Sequence, residues 1–310
     1  MESVLVIAQS AREFLAKLRP DFRFDQTVVV SDYAPEKEVW GYGADGPTSG
    51  PIVDRTLHWL RQNRDSRFFL WLFNFDVHAW RELDERYVND SAKQYGVPEE
   101  HGINWRYRVV ARALDEQFGR LLRGLDELDL SKNTIVLFVS DHGEALGRDG
   151  FWVHSVFLWE SLIRVPLLLR VPGLAPRAVD ARVSLVDVAP TLARYMLREP
   201  RMNGYHGEDL LGYLVPKRGR RRLPILTQAT SQQQLVRVGV VDSEAPWKLV
   251  LSFESGLPEL YDLRAPDPDS VNVAESERAP TLRLLNTLVR SPVFPRAEGT
   301  EGEGPHAQRD

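Results

Sequence analysis

The 310-residue chain has no cysteine. Disulfides, zinc–thiolate centres and a thiol nucleophile are therefore excluded from these residues. Nor does any segment approach the roughly 18 consecutive apolar residues of a membrane-crossing helix. The opening, MESVLVIAQSAREF, lacks a basic start and a small-residue cleavage site and does not read as a secretory signal. A positive excess is missing too. Lys and Arg number 39 against 44 Asp and Glu, for a net charge of −5, which does not favour nucleic acid or an anionic membrane as partner. There is no internal repeat.

Short continuous apolar runs are plentiful: VLVIA at 4–8, TVVV at 27–30, FFLWLFNF at 68–75, TIVLFVS at 134–140 and VPLLLRV at 165–171. Runs of this length suit strands buried on both faces of a parallel sheet. Helical patterns lie between them. Val53, Leu57 and Leu60 mark one face; Tyr107, Val110, Leu114, Phe118, Leu121 and Leu125 mark a longer one. Asp187 before VAPTLARYML reads as the cap of a helix with Pro190 in its first turn. Alternating strands and helices predict α/β layering. After about residue 215 the pattern changes. LVRVGVV, WKLVLSF and PELYDL read as short strands and TLRLLNTLVR as an amphipathic helix, giving a small antiparallel sheet with one helix. The expected organisation is an α/β domain over 1–215, a small α+β subdomain over 216–292 and a disordered tail over 293–310.

Chemistry-bearing residues gather at strand tips, where ligands bind in parallel α/β sheets. Asp141 and His142 follow the run TIVLFVS, Gly143 permits a sharp turn, and His154 returns thirteen residues after Asp141. A carboxylate and an imidazole could share a divalent cation. The plainer reading has Asp141 capping a helix beside a solvated His142. FFLWLFNFDVHAW repeats the arrangement, with Asp76 and His78 at its tip. Asp76 is read as a turn or cap residue. GYGADG at 41–46 matches a glycine-rich dinucleotide pattern in form only. It follows the charged PEKEVW and runs into Pro47 with no helix opening on it, so it is read as a loop. KRGRRR at 217–222 is read as a solvated linker. His58, His101 and His306 receive no role.

Several segments converge on one family. SDHGEALGRDGFWVH, ESLIRVPLLLRVPG, SLVDVAPTLARYM and GYHGEDLLGYL stand in the order and spacing of sulfatase motifs. FFLWLFNFDVHAW precedes them, and WKLVLSFESGLPELYDLRAPDPDSVNVAES closes the set. Over about residues 65 to 275 the chain resembles the sulfatases of the alkaline-phosphatase superfamily. The resemblance implies a partial alkaline-phosphatase-like α/β/α sandwich with a mainly parallel sheet. It implies metal ligation by Asp141 and His142, and contact of His78 and His154 with the sulfate or phosphate group. His154 could also protonate the leaving oxygen, a role that suits an imidazole with an ordinary pKa near about 6.5. The implied cofactor is one divalent cation. Calcium favours oxygen ligands, while His142 suits manganese, zinc or iron. The implied substrate is a small-molecule or glycan sulfate or phosphate ester.

The same resemblance implies parts that these residues do not supply. The family's nucleophile is formylglycine made from Cys or Ser in C/S-x-P-x-R, or a Ser or Thr in phosphatase branches. No such motif occurs here, and Gln9-Ser10 stands where a metal-binding Asp is expected. The chain therefore reads as the carboxyl two-thirds of a sulfatase domain, inactive alone, with formylglycine expected only in a longer parent. Loss of amino-terminal strands would leave an unpaired sheet edge and an exposed apolar face. The spacing Asp76-x-His78 departs from the D-x-x-x-H of two-metal phosphodiesterases, which points to one metal; His206 is read as structural. Two alternatives stand beside sulfate-ester hydrolysis. One is phosphate or phosphonate ester hydrolysis, or phosphoryl transfer, on the same fold. The other is a non-catalytic binding descendant.

Overall fold

A computed structural model describes residues 1–8, 23–30, 47–78, 80–100, 102–152, 154, 156–196, 206–214, 223–231 and 234–295. Gln9-Ser10, the 41–46 loop, His101, the 217–222 basic run and the tail from 296 lie outside these residues. By internal contacts the chain divides into two compact units. One holds residues 1–136 with 169–174; the other holds 137–168 with 175 onward. No helix among the described residues is long and apolar enough to cross a membrane.

The first unit is built on a parallel sheet. β1 (Glu2–Ala8) lies between β2 (Gln26–Val30) and β3 (Phe68–Phe73) in the order β2-β1-β3. Val4 pairs with Gln26 on one side and with Leu70 on the other. As the central strand, β1 buries Val4, Leu5, Val6 and Ile7, as its unbroken apolar run predicts. The edge strand β3 does not follow that rule. Trp71 is exposed there, at the edge of the three described strands.

Two helices pack on this sheet. α1 (Ser49–Gln62) buries Val53, Leu57 and Leu60, the face its spacing marks, together with Ile52 and Trp59. α3 (Ile103–Glu127) contributes Leu125 and Leu121 to the same core, and the intervening α2 (Glu85–Gln94) is capped by Asp84, which accepts from Arg86 N at 2.7 Å. Each fully buried aliphatic side chain here is worth about 1.5–3 kcal/mol. Gly124 lets α1 and α3 approach closely. A Cβ there would lie 2.2 Å from Leu57 Cδ2, so the cost of a helical glycine, about 1 kcal/mol, is offset by packing.

β4 (Val136–Val139) and β5 (Leu167–Arg170) form a two-stranded sheet, and the division of the chain falls within both strands. Both were expected to be buried on two faces. Val139 and Leu168 are instead exposed.

In the second unit, α4 (Glu160–Ile163) is a single turn. α5 (Val188–Met196) follows a 3-10 turn over Leu185–Asp187. Ser184 is the N-cap of the 3-10 turn, and Asp187, the residue before α5, is the third residue of its reciprocal capping box, its carboxylate accepting from Ser184 N at 2.8 Å. Buried Asp187 also accepts from Glu208 N, tying the segment beyond residue 206 to the helix start. The carboxyl-terminal part forms an antiparallel sheet in the order β6-β7-β8-β9. Its strands are β6 (Ile225–Ser231), β7 (Gln234–Val241), β8 (Trp247–Ser252) and β9 (Pro258–Asp262). α6 (Arg278–Val289) covers it through Leu284 and Leu288, packed on Val238, Val240, Leu249 and Leu260. Three strands and the helix match the expectation; β6 was not anticipated.

Candidate functional site

The second unit brings Asp141, His142 and His154 together. Just beyond β4, Ser140 Oγ donates to the His142 carbonyl at 2.7 Å, which folds the chain into a turn. Gly143 N donates to Leu162 O at 2.7 Å, and Glu144 N to Ser161 O at 3.0 Å. The turn thus rests on the carbonyl end of α4. A Cβ at Gly143 would stand 2.0 Å from Ser161 O, so only glycine fits.

The orientation of His142 follows from one hydrogen bond. Its Nδ1 lies 2.8 Å from the Gly143 carbonyl oxygen. A carbonyl can only accept, so Nδ1 carries a hydrogen, and in the neutral tautomer that this fixes Nε2 is the acceptor nitrogen. That Nε2 is 3.9 Å from Asp141 Oδ1, and the Asp141 side chain is 77% exposed. A first-row divalent ion holds N and O ligands at about 2.0–2.2 Å, so two of its ligands lie at most about 4.3 Å apart. The 3.9 Å between the carboxylate oxygen and the imidazole nitrogen lies within that limit.

His154 reaches the same place by a strained loop. Leu146, Gly147, Asp149 and Gly150 all have positive φ, at 52°, 93°, 48° and 83°. For Leu146 and Asp149 that conformation costs about 1–3 kcal/mol each. Gly147 N donates to Phe151 O at 2.7 Å and closes the loop. Arg148 pins it by donating to Asp267 at 2.7 Å, and this bond holds the Asp267 carboxyl below its ordinary pKa. The His154 ring then lies 4.1 Å from that of His142, tilted by 34°. Its Nδ1 is 3.9 Å from Glu144 Oε1, an electrostatic contact beyond hydrogen-bond range.

Glu144 is the residue that sequence reasoning passed over. Its side chain is 4% exposed, yet it faces the half-exposed imidazole of His154. The signal was present: a charged residue straight after the turn glycine, in a segment otherwise heading into apolar packing.

His78 belongs to the first unit. It lies half-buried in the turn after β3, its ring 4.2 Å from that of Phe75. Asp76, two residues before it, is 2% exposed. Its carboxylate accepts from Thr48 N and Thr48 Oγ1 at 2.8 Å each and from Ser49 N at 2.9 Å. It anchors the start of α1, as the plainer reading of this residue holds. His58 is exposed on α1, and His206 is exposed in a loop.

The family model for sulfatases matches residues 19–197. The chain belongs to the sulfatase family. The matched span contains His78, Asp141, His142 and His154, and begins nearer the start than the segment at 65–275 that carries the motifs. The closing segment at 247–275 lies beyond it. Among curated sulfatases, arylsulfatase K of Gallus gallus is 29% identical over 244 residues, 72% of this chain and 45% of its own length. Steryl-sulfatase of Mus musculus is 33% identical, over 62% of this chain and 31% of its own length. The chain thus spans less than half of these relatives. The fold is also that of the phosphonate monoester hydrolase of Agrobacterium radiobacter. That structure has a TM-score of 0.60 and 20% identity, covering 78% of this chain and 59% of the other. Sulfatases are generally metal-dependent, and the Asp141–His142 pair described above has the chemistry for that dependence.

Proposed function

We propose that this protein is the carboxyl-side part of a metal-dependent sulfatase that hydrolyses sulfate esters. The observation that carries the reading is the turn after β4, where Asp141 Oδ1 and the lone-pair nitrogen of His142 face each other at 3.9 Å. Asp141 and His142 are the metal ligands. A divalent cation held there would offset the charge of the anionic ester and lower the barrier to attack at its sulfur. His154 contacts the ester and gives a proton to the departing oxygen, with buried Glu144 facing its Nδ1. His78 is assigned a second contact to the anionic group. The nucleophile and the remaining carboxylate ligands are assigned outside these residues, since the chain holds no Cys and no S-x-P-x-R. The substrate is a small-molecule or glycan sulfate, the chemistry named for the curated relatives. The boundary near residue 215, between the α/β body and the antiparallel sheet, belongs to the same proposal.

Equilibrium dialysis with manganese and with calcium tests the reading. One ion bound per chain, abolished by Asp141→Ala, is the expected result; an unchanged isotherm for that variant overturns the metal assignment. With p-nitrophenyl sulfate this chain alone is expected to show no turnover. Turnover would overturn the placement of the nucleophile. Hydrolysis of a phosphonate or phosphate ester in place of the sulfate would move the chemistry to the phosphoryl branch.

A further inference from the structure

The most deeply buried cation among the described residues is a lysine that the proposed chemistry does not use. Lys248, in the middle of the antiparallel sheet on β8, is fully buried. Its Nζ donates to the Leu158 carbonyl at 3.0 Å, to Glu160 Oε1 at 3.0 Å and to Asp269 Oδ1. Three acceptors for three N–H donors leave the ammonium satisfied. The second oxygen of Asp269 accepts from Glu160 N at 2.7 Å. One cation and one carboxylate therefore fix the first residue of α4 from two directions.

α4 is one turn long. A single turn does not hold itself together, since nucleation costs more than its hydrogen bonds return. Its carbonyl end is the surface on which the candidate site rests. Leu162 O and Ser161 O accept from Gly143 N and Glu144 N, and the Gly143 backbone touches Ser161 O too closely for any Cβ. Glu160, held by the buried ion network, stands only one and two residues before Ser161 and Leu162, whose carbonyls hold the turn that carries Asp141, His142 and Glu144. Leu158 and Glu160, the two residues of this segment that Lys248 holds, also lie within six positions of His154.

We infer that Lys248 is a positioning residue for the His142 turn, acting through α4. The ammonium and Asp269 lock the start of the helical turn, and its far carbonyls lock the backbone of Gly143 and Glu144. The inference rests on the reading of Asp141 and His142 as a cation site only for its metal-binding consequence; the backbone consequence stands without it.

Amide hydrogen exchange on the full chain, with manganese binding measured alongside, tests this. Lys248→Met alone strands the carboxylates of Glu160 and Asp269, so it is paired with Lys248→Met/Asp269→Asn, which removes the charge of the more buried of the two and keeps an oxygen for Glu160 N. In the double variant the Gly143 and Glu144 amides are expected to exchange about tenfold faster or more, while those of Val240 and Leu249 stay as in the wild type. Manganese affinity is expected to fall by about tenfold, the lower end of the range for groups bonded directly to metal ligands, because Lys248 acts on them through α4. Unchanged protection at Gly143 and Glu144 overturns the inference. So does an equal loss at Val240 and Leu249, which would make Lys248 a contributor to global stability alone. If the wild type binds no manganese but the selective exchange appears, the metal reading fails and the positioning role stands.

Discussion

Asp76 and Asp141 hold the same place in the sequence, each at the tip of an apolar strand with a histidine close behind. Their surroundings are opposite. Asp76 is 2% exposed and accepts three hydrogen bonds from the start of α1. Asp141 has a side chain 77% exposed and accepts from the His142 N–H of its own turn. A carboxylate whose lone pairs are spent on buried backbone N–H groups is structural. One that keeps them toward an imidazole lone pair is available to a cation. The pattern of residues announces a site in both places; the donors around each carboxylate separate the two roles.

That contrast can be broken by experiment. Asp76→Ala is expected to cost about 3 kcal/mol, because it removes charge-assisted bonds and leaves buried N–H groups unpaired. A loss below about 1 kcal/mol in chemical denaturation would erase the distinction between the two residues. Next in size is the effect of metal on the wild type. Manganese at a hundred times its dissociation constant should add about 2.7 kcal/mol to stability, and a chelator should remove it. The thermal midpoint reports both. Gly143→Ala is expected to cost about 2 kcal/mol, since the new methyl group meets the Ser161 carbonyl. Its metal-induced shift should shrink as well. Asp141→Ala is expected to change metal-free stability by no more than about 0.5 kcal/mol, as an exposed side chain does, and to abolish the shift with manganese. A large loss of metal-free stability in this variant would place Asp141 with Asp76 as a structural residue.

Much of this was legible in the amino-acid order. The apolar runs at 4–8, 27–30 and 68–75 became one parallel sheet, and the faces marked on α1 and α3 pack against it. These signals are local: a period of three to four residues or an unbroken run survives whatever surrounds it. The burial of β3, β4 and β5 was read too deep: Trp71, Val139 and Leu168 are exposed, because an apolar run does not say which of its faces another layer covers. Asp187 was read as the residue opening α5; that its carboxylate turns back to Ser184 N and to Glu208 N was not legible, because those donors are brought to it only by folding.

Residue order alone is enough for the family, the alternation of strand and helix, and the turn that carries Asp141, His142 and, thirteen residues after Asp141, His154. Tertiary structure alone decided which strand-tip carboxylate is spent on a helix start, that Glu144 faces His154 from a buried position, and that Lys248, more than ninety residues beyond His154, reaches α4. The physical reason is the range of the forces involved. Turn and helix preferences act over a few residues and can be read in order. Burial and hydrogen-bond satisfaction depend on groups that only folding brings within 3 Å of one another.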